Sequence, residues 1–90
     1  MLELGYSNRI KKDLKKFQYK KEVIKEFNGV IKLLSEKKKL PEKYLDHALS
    51  GNYYGYRECH VKPDVLLVYR VNLAEKVLYL ARIGSHSELF

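Results

Sequence analysis

The sequence predicts an α+β fold of order βααβββ, a two-helix hairpin packed on a mainly antiparallel sheet. Two apolar stripes at helical spacing fill the first half of the chain. Three strand-like runs separated by short turns fill the second. The short turns require antiparallel neighbours, and the helices then cover one face of the sheet.

Met1 to Tyr6 alternates apolar and polar residues and predicts a first strand. Ser7 and Asn8 are suited to capping the helix that follows. Ile10, Leu14 and Phe17 fall at i, i+4 and i+7, with Arg9, Lys11, Lys12, Lys15 and Lys16 on the other faces. Gln18 to Lys21 form a turn. Val23, Ile24, Phe27, Val30, Ile31 and Leu34 trace a second, stronger stripe. Gly29 within it suggests close packing against a neighbour. Lys37 to Lys39 are placed at the helix C-terminus, where positive charge opposes the dipole, with Leu40-Pro41 as the stop.

Tyr44 to Asn52 predicts a connection ending in the turn residues Ser50-Gly51-Asn52. From Tyr53 to Val61 residues alternate again, with Tyr54, Tyr56, Glu58 and His60 on one side and Tyr53, Arg57, Cys59 and Val61 on the other. Lys62-Pro63-Asp64 is a tight turn. Val65 to Val71 is largely apolar on both parities, which predicts a central strand. Asn72 to Glu75 is a loop, and Lys76 to Ile83 is the last strand. The whole chain, 1–90, reads as one domain, with no repeat or linker.

Lys and Arg total 18 against 11 Asp and Glu, a net charge of +7. Residues 1–43 hold 13 basic and 6 acidic residues, and residues 44–90 hold 5 of each. All three histidines lie in the neutral half. A basic face therefore accompanies a histidine-bearing one, which suits a polyanion such as RNA, or an acidic protein. The single cysteine, Cys59, excludes an intrachain disulfide and fits a reducing cytoplasm. No apolar run reaches bilayer length.

In an antiparallel meander, the end of the first strand, the start of the second and the end of the third meet at one edge. His60, Asp64, Arg82 and His86 are expected at that rim, with His47 preceding the first strand. Two groups able to move protons and an arginine to hold a phosphate suit RNA cleavage by the ribose 2′-OH, without a metal or other cofactor. Gly84 would let the chain turn between Arg82 and His86. A metal site of the same histidines and aspartate ranks lower, because their spacing matches no ligand signature. In the plainer alternative, Arg82 pairs with Glu58 across the sheet and the C-terminus is a frayed tail. Tyr53, Tyr54 and Tyr56 suit base stacking or ordinary packing.

Four stretches carry a resemblance. They are Asp46-His47-Ala48-Leu49-Ser50-Gly51, Tyr56 to Asp64 with Arg57, His60 and Pro63 at fixed spacing, Leu66-Leu67-Val68-Tyr69, and Arg82 to Phe90. Together they resemble the YafQ branch of RelE-type toxins from bacterial type II toxin–antitoxin pairs. The resemblance implies a microbial-RNase-like fold and an mRNA endonuclease, partnered by a cognate antitoxin and in many relatives by the ribosome. It implies catalytic roles for His47, His60, Asp64, Arg82 and His86. His86 would be the acid, Arg82 the phosphate holder, and His60 and Asp64, with His47, the base or its orienting group. Phe90 would contact substrate, and Tyr56, Arg57 and Lys62 are placed with it. Val65 stands where the branch often has tryptophan. The competing classes are a ParE-like gyrase poison, which lacks this histidine–arginine set, and a basic RNA- or ribosome-binding module that leaves RNA uncut.

Overall fold

The computed structural model describes residues 1–90. A five-stranded mixed sheet has the order β1-β5-β4-β3-β2. Its strands are β1 (Glu3–Tyr6), β2 (His47–Ala48), β3 (Arg57–Lys62), β4 (Val65–Asn72) and β5 (Val77–Gly84). Helices α1 (Asn8–Lys15) and α2 (Lys21–Ser35) follow β1, and a short α3 (His86–Leu89) follows β5. The expected α+β order stands, with β3, β4 and β5 forming the antiparallel meander and β1 joining β5 in parallel.

Helix α1 starts at Ser7, whose hydroxyl accepts the Ile10 N–H at 2.9 Å. The stripes of α1 and α2 cover one sheet face. Ile10, Phe17, Val23, Phe27, Val30, Ile31 and Leu34 close over Cys59, Leu67, Tyr69, Leu78, Leu80 and Ile83. β4 is buried from Val65 to Tyr69 because both of its faces are covered. On the second face, Leu66, Val68 and Leu89 form a smaller cluster with Leu49, Tyr53, Tyr56 and Ala81.

Several expectations are corrected. Helix α2 ends at Ser35, before the lysine run. Lys37 takes a left-handed φ of 62°, and the Lys37 and Lys38 N–H groups donate to Leu34 and Leu33 carbonyls, closing the last turn. A Cβ at Gly29 would meet nothing within 4 Å, so that glycine marks no close packing. β3 begins at Arg57 rather than Tyr53. Gly55, at φ 93°, turns the chain, and Gly51–Tyr53 is a 3-10 turn. The predicted connection contains β2, with His47 paired to Glu58 and Ala48 to Arg57. The C-terminus is not a frayed tail. Ser85 caps α3, and the Glu88 carboxylate accepts the Ser85 N–H at 2.9 Å, a complete capping box.

One irregularity has a large effect. Val68 pairs with Arg82, but Tyr69 pairs with Leu80, so Ala81 is an extra residue in β5. This bulge lets Leu80 and Ile83 both enter the main core, although they are an odd three positions apart.

Candidate active site

The second sheet face carries the candidate site in rows of paired residues. His47, Glu58, Val68 and Arg82 are successive partners across β2, β3, β4 and β5. His60, Leu66 and Gly84 form the adjoining row toward the rim. Of the four residues expected at one rim, His60, Asp64 and His86 line one cleft with Pro63, Ser85 and Ser87, whereas Arg82 stands one row further in, opposite Val68.

Glu58 is the centre that sequence reading passed over. It is 6% exposed, and the His47 Nε2 lies 3.6 Å and the His60 Nε2 3.8 Å from its Oε1. Each ring is held from behind by a backbone carbonyl. The His47 Nδ1 is 2.8 Å from the Leu45 oxygen, and the His60 Nδ1 is 3.4 Å from the Pro63 oxygen. A carbonyl only accepts, so Nδ1 carries hydrogen in both rings. Nε2 is then the ring nitrogen turned toward Glu58 and free to accept a proton. The shared parity of Glu58 and His60 in β3 was the available signal.

His86 begins α3, and its ring is 5.2 Å from that of Phe90, which in turn is 5.3 Å from Tyr53. A cleft of about 360 Å³ runs between His47, Leu49, Glu58, Tyr53, His86 and Phe90. His86 therefore borders both clefts, one shared with His47 and Glu58 and the other with His60 and Asp64. Gly84 ends β5 in extended backbone rather than a glycine-only turn. Its value is space: a Cβ there would stand 3.1 Å from Glu88 Oε1 and 3.4 Å from Leu89.

Arg82 does not pair with Glu58. Its Nε and Nη2 donate to Asp13 at 2.7 and 3.2 Å. The same carboxylate accepts the Ile83 N–H at 3.1 Å. β1 ends at Tyr6, opposite Leu80, so this N–H has no strand neighbour. Asp13 thus substitutes for the missing strand and fixes the arginine. This hydrogen bond, opposed by burial, raises the Arg82 pKa above its ordinary value. Two of five guanidinium N–H groups are used, leaving three for a ligand. Asp13 sits within the Ile10-Leu14-Phe17 stripe, and an acid in an apolar stripe is the signal that a buried partner exists.

Arg57 is forked onto Asp46, with Nε 3.3 Å from both oxygens and Nη2 at 3.1 Å from Oδ2. The Tyr69 hydroxyl donates to the same carboxylate. Burial first, and this bond second, raise the tyrosine's pKa. The group anchors the residue before His47. Lys62 lines clefts on the helix side, one with Glu26 and one with Phe17 and Lys20. Val65, 5% exposed, lies in the main core. Cys59 is fully buried, which pushes its thiol to about 12. No group of three His, Cys, Asp or Glu side chains is arranged to hold a metal ion. No helix is long and apolar enough to cross a membrane.

The sequence model described as "Bacterial toxin of type II toxin-antitoxin system, YafQ" matches residues 2–90. The mRNA interferase toxin YafQ of Escherichia coli K12 is 36% identical over 89 residues, covering 98% of this chain and 95% of that protein. Among solved structures, a metal-bound toxin from Helicobacter pylori is 43% identical, with a TM-score of 0.92 and full coverage of both chains. The E. coli DinJ–YafQ complex is 33% identical with a TM-score of 0.85, covering 100% of this chain and 99% of that one.

Proposed function

Because the chain belongs to the YafQ family of type II toxins, and so is an endoribonuclease of the mRNA interferase class, we propose that it cuts single-stranded message by attack of a ribose 2′-OH on the adjacent phosphate. The convergence of His47 and His60 on the Glu58 carboxylate, with His86 across the cleft, carries this reading.

In the proposed reaction, an Nε2 of the His47–Glu58–His60 group takes the 2′-OH proton. Glu58 stabilises the imidazolium that forms, as a buried carboxylate beside a charged ring should. The 2′-oxygen attacks phosphorus and a charged, five-coordinate phosphate develops. Arg82, already held by Asp13, offers its remaining N–H groups to that charge without reorganising. His86 gives a proton to the departing 5′-oxygen. The products are a 2′,3′-cyclic phosphate and a 5′-OH. The nucleophile comes from RNA, so the step itself requires no metal-bound water. Asp64, exposed beside Pro63 on the His60 side of the rim, orients His60 or contacts the substrate. Phe90 stacks on a base next to the cut, with Tyr56 nearby.

As the toxin half of a type II pair, the protein has a cognate antitoxin as its partner. Its mRNA target, a place on the ribosome and a cytoplasmic site of action belong to the same proposal, supported by the basic first 43 residues. Incubating purified protein with RNA and analysing the ends tests the chemistry. Cyclic-phosphate ends that vanish with His86→Ala support it, and ends of another kind refute it.

A further inference from the structure

Beside the row His47–Glu58–Val68–Arg82 lies a second row on the same face. Arg70 and Tyr79 are direct partners across β4 and β5, and Tyr56 immediately precedes β3 beside them. Tyr56 and Arg70 stand two residues from Glu58 and Val68, so they share a face about 7 Å along the strands. Tyr79 stands three residues from Arg82, which would normally place it on the opposite face. The extra residue Ala81 restores it to this one.

The side chains interlock. The Arg70 guanidinium carbon is 5.2 Å from the Tyr56 ring centre and 5.7 Å from that of Tyr79. Tyr56 meets Tyr53 edge-on at 6.2 Å, Tyr53 meets Phe90 at 5.3 Å, and Phe90 meets His86 at 5.2 Å. An unbroken series of flat groups therefore leads from the candidate acid across the open sheet. Arg70 is exposed and takes part in none of the ion pairs. At the far end, Tyr79 is paired with Gly5, which has no side chain to wall off the row.

We propose that Tyr56, Arg70 and Tyr79 form a track that binds the single-stranded RNA flanking the cleaved step. Aromatic faces and guanidinium planes stack on any unpaired base, and a free arginine also attracts the phosphate backbone. The row is unsuited to duplex RNA, which hides its base faces. The main core does not need it, since the helices pack on the other side of the sheet. RNA is favoured over a protein partner because the series ends at His86 and Phe90, in the cleft where the message is cut. The inference rests on that assignment of the site.

The test uses two RNAs carrying a 2′-deoxyribose at the scissile step, so that binding is read without cleavage. One extends about one nucleotide beyond the step on each side, and the other about five, enough to span a stacking track. Arg70→Ala and Tyr79→Leu should each weaken binding of the longer RNA roughly tenfold, as loss of one stacked base does, and leave the shorter unchanged. Tyr79→Phe, which keeps the ring, should bind the longer RNA normally. Equal affinity of all variants for both RNAs would overturn the track, as would equal weakening on both. Weakened binding of a protein partner with RNA affinity intact would also overturn it. Failure of the site assignment would show separately, as unmodified RNA cut equally by wild type and His86→Ala.

Discussion

Asp13 grips Arg82 through Nε at 2.7 Å and Nη2 at 3.2 Å, across sixty-nine residues of sequence. Both side chains are largely buried, Asp13 at 8% and Arg82 at 13% exposure. The contact ties the basic helical half of the chain to the candidate active face. It also fills the edge that β1 leaves open beyond Tyr6.

Removing one partner of such a pair leaves a buried charge uncompensated. Asp13→Ala should destabilise the fold by about 3 kcal/mol in urea unfolding, and lower RNA cleavage through a misplaced Arg82. Asp13→Leu combined with Arg82→Met should recover much of the stability but none of the activity. An unfolding free energy unchanged by Asp13→Ala would refute this account of the edge.

Glu58→Gln keeps shape and loses charge. The imidazolium at His47 or His60 then loses its buried counter-charge. Cleavage should fall roughly a hundredfold, the scale of a general-base contribution, with KM for RNA little changed. A rise in KM at constant kcat would instead make Glu58 a substrate-binding group.

The Glu88 carboxylate accepts the Ser85 N–H and sits 3.2 Å from Lys16 Nζ, while the Ser85 hydroxyl accepts the Glu88 N–H. The bonds to Ser85, and then Lys16, hold its pKa at about 2, below the usual 4.5. A depressed carboxylate stabilises the fold above its ordinary pKa, and that stabilisation is lost as pH falls from about 4.5 toward 2. The Ser85 amide shift should titrate with a midpoint near 2. Since α3 begins at His86 and holds Phe90 at its C-terminal end, Glu88→Ala should also impair cleavage. A midpoint near 4.5 would show that the capping box does not persist in solution.

Much of this was legible in the residues. The apolar run Val65 to Tyr69 announced a strand covered on both faces, and the meander brought His60, Asp64 and His86 to one rim. The alternation from Tyr53 misled because Gly55, inside it, turns the chain rather than extending it. The two-residue β2 had no periodicity to detect, yet it sets His47 opposite Glu58. Nothing in Leu80-Ala81-Arg82 marks a bulge; it arises from the fit of β5 to β4. Asp13 and the Ser85–Glu88 spacing were visible signals of a buried acid and a capped helix. Their meaning depended on which residues the fold set beside them.

The central claim is that His86 completes a 2′-OH cleavage in which RNA supplies the nucleophile. Mapping the ends left by wild type and by folded His86→Ala, with a chelator present, tests it most directly. The account predicts 5′-OH and 2′,3′-cyclic-phosphate ends from wild type and intact RNA from the variant. Ends bearing 5′-phosphate and 3′-OH, or undiminished cleavage by His86→Ala, would contradict it.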